Sequence, residues 1–182
     1  MSAANNKDLR MSYKIGYTKV GVINFEPYKS NLLPLWRFHN AEAATKSCQN
    51  LWEIFLDYDE RGDFVGMDMT RNIMQMGIIR ARRYVNYKGG REYDDEGNIL
   101  PKSECHEGKK EMEMAVRLFQ RHLALAETHP GYNAKKKVFV REKRAWNNNE
   151  RRIEDAKAVR RWKYADSGID KEGQKEQYSR GR

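Results

Sequence analysis

The sequence predicts a mainly α fold of the α+β kind: a compact helical domain with two small β elements, followed by a basic helical extension. Three observations predict it. Apolar residues recur at steps of three and four in several segments bounded by capping residues, glycines and prolines. β-branched and aromatic residues crowd a short stretch near the N-terminus, and a turn signal flanked by extended arms lies near the middle. Beyond residue 132 the chain is so charged that only a thin apolar stripe runs along it.

Length and composition set the frame. The 182 residues suffice for one domain with a real core. Hydrophobic residues make up 39% and charged residues 34%, so the core is expected to carry polar extensions. The expected organisation is a disordered N-terminus over 1–12, a helical core over 13–131, a basic helical extension over 132–165 and a disordered tail over 166–182.

Taken in order, Tyr13 to Phe25 is the first predicted β element, with Gly16 and Gly21 as breakers. Pro27 and Pro34 are expected to keep Glu26–Trp36 largely non-helical. Asn40 predicts the cap of a helix over 41–60, with Ala44, Cys48, Leu51, Phe55 and Tyr58 as its buried stripe. Asp63 predicts the cap of a helix over 64–76 whose core residues are Phe64, Met67, Ile73 and Met74, with Gly77 as its stop. A further turn or two is expected over 78–86 before Lys88-Gly89-Gly90 breaks the chain. Glu96-Gly97-Asn98 predicts a hairpin around 91–101, the second β element. A helix over 107–128 buries Met112, Val116, Phe119, Leu123 and Ala126, and Pro130-Gly131 ends it. A long, partly exposed helix over 135–164 carries Ile153, Ala156, Val159 and Trp162, with Asn147-Asn148-Asn149 the place where it would break.

Several function classes drop out early. No apolar run approaches the roughly 20 residues needed to cross a bilayer, and the polar start has no apolar leader, so no membrane partner or secretion signal is expected. Phosphate-loop, dinucleotide and zinc-protease motifs are absent, and the four histidines have no zinc spacing with Cys48 or Cys105, so neither cofactor nor metal is expected. Two distant cysteines fit free thiols in the cytoplasm.

The charge is informative. Acids and bases cancel through residue 60, so the whole net charge of +9 lies beyond it. Between Met69 and Arg91 there is no acid, while Arg71, Arg80, Arg82, Arg83, Lys88 and Arg91 supply six cations. On a helix Arg80, Arg83, Tyr84 and Tyr87 share a face. Arginine forks match phosphate oxygens, tyrosine rings stack on bases, and Gly89 and Gly90 let backbone amides approach an anion. Pairing of Asp63 and Asp68 with these arginines, tying two helices together, accounts for the same residues structurally. A proline-braced loop holding Glu26, Tyr28, Lys29, Trp36, Arg37 and Phe38 reads either as a strap over the core or as one wall of a pocket. From 132 to 165 twelve basic residues face four acids, with Trp146, Trp162 and Tyr164 interleaved. That pattern suits a solvated face, a nucleic-acid backbone or an acidic protein partner.

Longer phrases carry a resemblance. Glu26-Pro-Tyr-Lys-Ser30, Leu33-Pro-Leu-Trp-Arg-Phe38, Gly62-Asp-Phe-Val-Gly-Met-Asp-Met69, Gln75-Met-Gly77, Arg80-Ala-Arg-Arg-Tyr84, Asn86, Lys88-Gly-Gly90 and Tyr93 resemble the domain-of-unknown-function family 4385. The likeness covers about residues 16 to 140. It implies an uncharacterised cytoplasmic protein of the kind found in bacteria, fungi and large tailed phages, in virion or host cytoplasm if phage-encoded. It carries over no activity, cofactor or catalytic residue. The chain departs from the pattern with Ile78-Ile79 in place of Tyr-Thr, and with Val85 and Tyr87 where alanine and histidine stand.

The leading functional expectation is a nucleic-acid-binding accessory protein. Arg71, Arg80, Arg82, Arg83, Lys88, Arg91, Lys29 and Arg37 would contact phosphates, and Tyr84, Tyr87 and Trp36 would stack. One alternative is an enzyme acting on a phosphate-bearing or nucleic-acid substrate, with Asp63, Asp68 or Glu26 as its acid–base groups. The other is a structural or interaction protein of a virion or ribonucleoprotein, held through 132–165.

Overall fold

The structure, a computed structural model, describes residues 2–16 and 24–166, and side chains as far as 161. Six helices account for most of it: α1 (Lys7–Ser12), α2 (Tyr28–Leu32), α3 (Ala41–Glu60), α4 (Phe64–Asn86), α5 (Lys109–Thr128) and α6 (Pro130–Asp166). The chain divides into two units, Met1–Phe139 and Val140–Arg182.

In the first unit α4 is the central element, packed on α3 and α5, which also pack on each other. Every residue of α4 from Phe64 to Met74 is buried, so the helix is enclosed on all sides rather than on one stripe. The caps are those the sequence signals. The Asn40 side chain accepts from the Ala43 amide at 2.7 Å, and Asp63 accepts from the Gly66 amide at 3.1 Å. All five stripe residues of α3 are buried.

Gly77 does not stop α4. A Cβ there would sit 2.6 Å from the ring of Phe119 in α5, so the missing side chain lets the two helices approach closely while the helix runs on to Asn86. Contact with a neighbouring helix, not termination, accounts for this glycine.

The fold is mainly α but not α+β, because neither predicted β element forms a strand among the described residues. Around 91–101 a single antiparallel bridge joins Tyr93 and Ile99. The turn is organised instead by the Asp94 carboxylate, which accepts from the amides of Glu96 at 2.9 Å and Asn98 at 2.8 Å. Tyr93 and Ile99 are exposed, and so short a ribbon with no packed face cannot sustain a ladder. In the first β element residues 17–23 lie outside the described residues, and 13–16 are not strand. Tyr13 there is a core side chain, its ring 5.0 Å edge-on to Phe25 and 6.1 Å from Phe139. Burial, not pairing, claims these aromatic residues.

Three further expectations change. The first residues are not disordered: α1 is capped by Asn6, and Ala3, Met11 and Tyr13 are buried. The proline-braced segment is mostly helical, since Pro27 stands at the cap of α2 and Pro34 in the first turn of a tight 3-10 helix, Leu33–Leu35, where a missing N–H costs nothing. Pro130 begins α6 rather than ending α5. His129, at ψ 126°, makes the extended break that a residue before proline favours. The core consequently reaches past 131, with Tyr132 and Phe139 packed 5.7 and 4.8 Å from Phe64.

In the second unit α6 continues without a break through Asn147–Asn149. Ile153 and Val159, the predicted stripe, are exposed there. The tail from 167 lies outside the described residues.

Candidate functional site

Two of the three candidate carboxylates lie inside the core. Asp63 accepts from the Tyr28 hydroxyl at 2.6 Å, from the Ser2 hydroxyl and from the Gly66 amide. Asp68, fully buried, accepts from the hydroxyls of Tyr13 at 2.6 Å and Tyr132 at 2.7 Å and from Arg71 Nε at 3.1 Å. Arg71 spends its remaining donors on Asn72, on Gln75 at 3.2 Å and on Glu127 at 3.3 Å. Its buried guanidinium therefore belongs to this network rather than to a surface anion site. Burial, followed by the Asp68 charge, pushes the Tyr13 and Tyr132 hydroxyls well above the ordinary phenol range, and burial with the bond to Asp63 does the same for Tyr28. These hydroxyls stay protonated and donate. Glu26 is exposed and accepts from the Ser30 amide at 3.2 Å, far in character from a buried acid–base group.

The arginine window separates into three groups. Arg71 is in the core. Arg83 pairs with Glu92 at 2.8 Å, and Arg91 with Asp95 and the Tyr93 carbonyl. Arg80, Arg82 and Lys88 are exposed and form no ion pair among the described residues. Tyr87, expected to stack, is buried, and Lys29 is half-buried.

The remaining candidates converge on a cavity of about 400 Å³ in the first unit. Trp36, Arg37, Phe38 and His39 from the segment before α3 form one side, Tyr84 and Gly89 a second, and His106, Glu107, Gly108 and Met112 a third. Trp36 and Phe38 lie 5.4 Å apart, and Tyr84 meets Phe38 edge-on at 5.9 Å. The Lys88–Gly90 turn carries two successive glycines at φ 67° and 70°. A Cβ on Gly90 would come within 2.7 Å of the Tyr84 ring, so the glycine is what seats that aromatic at the cavity.

Polar groups around the cavity divide into occupied and available. The His106 ring is held at both nitrogens, Nε2 on the Tyr84 carbonyl at 2.8 Å and Nδ1 against Ser103 Oγ at 3.0 Å. Since a carbonyl only accepts, Nε2 carries hydrogen, and neither nitrogen is left for a substrate. Arg37 NH1 donates to the Trp36 carbonyl at 2.9 Å and the Leu33 carbonyl at 3.4 Å, and its other donors have no partner among the described residues. The Trp36 indole N–H is buried and has no acceptor among the described residues. Gly108, at φ 80°, starts α5 without a side-chain cap, and Glu111 of the first turn reaches instead to the Ala41 amide at 2.8 Å.

The sequence pointed to Trp36, Arg37, Tyr84 and Gly89, and the fold unites them across some fifty residues. His39 and the 106–108 segment were missed. A glycine directly before a strong helix at Gly108 was the available signal.

These features define an all-helical domain with a largely buried carboxylate–tyrosine network, whose Arg71 and Tyr132 line a small pocket of about 180 Å³, and a separate aromatic cavity. By sequence the chain belongs to the family described as domain of unknown function DUF4385, which matches residues 1–142. The match takes in the residues on either side of α1 and the start of α6, which supply Ser2 to Asp63 and Tyr13 and Tyr132 to Asp68. No curated protein and no solved structure matches the chain. Among the described residues no helix is long and apolar enough to cross a membrane.

Proposed function

We propose that the protein binds nucleic acid through its phosphates, as an accessory protein rather than through a chemical step on Asp63, Asp68 or Glu26. The carrying observation is a set of exposed cations without counter-charge. Arg141, Arg144, Arg151, Arg152, Arg160 and Arg161 of α6 are exposed and form no ion pair among the described residues. At about 100° per residue Arg141, Arg144, Arg151 and Arg152 fall on one face of the helix, and Arg160 and Arg161 on the opposite side. Exposed arginines clustered in this way attract a polyanion by Coulomb forces and counterion release. In the first unit Arg80, Arg82 and Lys88 add a second patch of the same kind. Asp63 and Asp68 supply no acid–base pair for the enzyme alternative, because their oxygens are taken up by buried donors.

The test is fluorescence anisotropy of single- and double-stranded DNA and RNA with the full chain across a salt series. If six phosphates are engaged, log K falls against log salt with a slope of about −4 to −5. Replacing Arg151, Arg152, Arg160 and Arg161 by alanine flattens that slope by about 3, and Arg80→Ala/Arg82→Ala by less than 2. Binding that ignores salt, or that survives both sets of changes, refutes the proposal. Capture of an acidic protein with no affinity for nucleic acid would favour the interaction-protein alternative.

A further inference from the structure

We infer that the cavity between the Trp36–His39 segment, Tyr84, Gly89 and the start of α5 takes one nucleoside monophosphate: a flat heteroaromatic base joined to a phosphate. This goes beyond phosphate-backbone binding and does not depend on it, since the cavity lies wholly in the first unit and uses none of the α6 arginines.

Two observations point to the base. The volume, about 400 Å³, lies in the range of small-ligand sites. Three aromatic side chains, Trp36, Phe38 and Tyr84, stand around it, and Tyr84 keeps 38% of its surface exposed. Rings of this kind offer the π-faces on which any base stacks.

The phosphate follows from the other side of the cavity. Arg37 presents the guanidinium donors its two carbonyl bonds leave over. Gly108 opens the 20-residue α5 with no side-chain cap, so the first-turn amides and the positive end of the helix dipole face no carboxylate of their own cap. The Gly89–Gly90 turn presents bare backbone at the cavity edge. Glu107 also lines the cavity and is an acceptor suited to ribose hydroxyls or an exocyclic amine, not to phosphate. That combination of aromatic wall, cation and acceptor fits a nucleotide better than a bare aromatic acid or inorganic phosphate.

The experiment is isothermal titration of the full chain with adenosine monophosphate, adenosine, ribose 5-phosphate and inorganic phosphate. The Met112 methyl resonance of the unmodified chain, assigned with Met112→Leu, serves as a second readout. The expected result is one monophosphate per chain, bound at least tenfold more tightly than any of the other three, with a shifted Met112 methyl. Arg37→Ala and Trp36→Ala each weaken binding about tenfold, the scale of one lost charged hydrogen bond or one lost stacking surface. Arg151→Ala/Arg152→Ala leaves it unchanged, which separates this site from the polyanion surface. The inference is overturned if the Met112 methyl is unmoved at millimolar monophosphate, if phosphate or adenosine binds equally well, or if the α6 changes abolish binding. The methyl readout decides the matter even if both cavity variants fail to fold.

Discussion

Asp68→Asn is the sharpest probe of what holds the core together. The carboxylate is fully buried and accepts from Tyr13, Tyr132 and Arg71. Asparagine keeps the shape but removes the charge and turns a donor toward groups that themselves donate. Hydrogen bonds to a charged acceptor contribute about 1.5–3 kcal/mol each, and a buried guanidinium stripped of its partner costs about 3–5 kcal/mol. Arg71 would retain Glu127 at 3.3 Å, but that carboxylate is half exposed and returns at most about 1 kcal/mol. The expected net loss is therefore about 3–5 kcal/mol, a large part of the 5–15 kcal/mol typical of a domain. Urea unfolding followed by helical circular dichroism measures it, with the slope m unchanged. In an Arg71→Met background the same substitution is expected to cost only about 1–2 kcal/mol, because no charge is stranded. A loss below about 1 kcal/mol in the otherwise unchanged chain, or equal losses in both backgrounds, would refute the argument.

Other outcomes follow from the same geometry. Tyr13, Tyr28 and Tyr132 are held above the ordinary phenol value, so the unfolded chain loses these protons first as pH rises past about 10; stability then falls by up to about 1.4 kcal/mol per pH unit for each, and tyrosinate absorbance should appear together with loss of helix rather than before it. Burial pushes the Cys48 thiol up to about 12 while Cys105 is exposed, so a disulfide reagent at pH 8 should titrate one thiol quickly and the second only after denaturation. Gly77→Ala gains about 1 kcal/mol of helix propensity but drives a methyl into the Phe119 ring, so a net loss of about 1–2 kcal/mol is expected in urea; a gain would show that the helices separate freely. Deleting residues 2–12 removes Met11 from the core and the Ser2 and Ala3 donors from Asp63 and Tyr28, an expected loss of about 3 kcal/mol or more.

The sequence made the helical framework plain wherever local signals agreed with packing. Asn40 and Asp63 cap the helices they announce, and the stripe from Ala44 to Tyr58 is buried as its spacing implies. It misled where one residue type serves two purposes. Gly77 looks like a stop because glycine ends helices, yet the ring of Phe119, forty-two positions away, is what requires it. Tyr13 looks like a strand residue because aromatics favour sheets, yet it packs as a core side chain against a half-buried Phe25. Of the site, the pairing of Asp68 with Arg71 was legible from its i, i+3 spacing, whereas Tyr13 and Tyr132 were not, because no local pattern links residues so far apart. The cavity was half legible: its aromatic and glycine motifs stood out, but His39 and His106 enter it only through the fold.

The reach of the Asp68 contacts also bears on how the chain is made. Its two tyrosine donors stand 55 positions before it and 64 after it. During synthesis α4 and the N-terminal segment emerge while the second donor is still inside the ribosome. Until Tyr132 clears the exit tunnel, the carboxylate is one strong donor short, and so is the site that would neutralise Arg71. A nascent chain paused before the start of α6 would hold that charge pair in a half-built pocket open to solvent. The Asp68 site is thus completed only once the first turn of α6, which carries Tyr132, is in place.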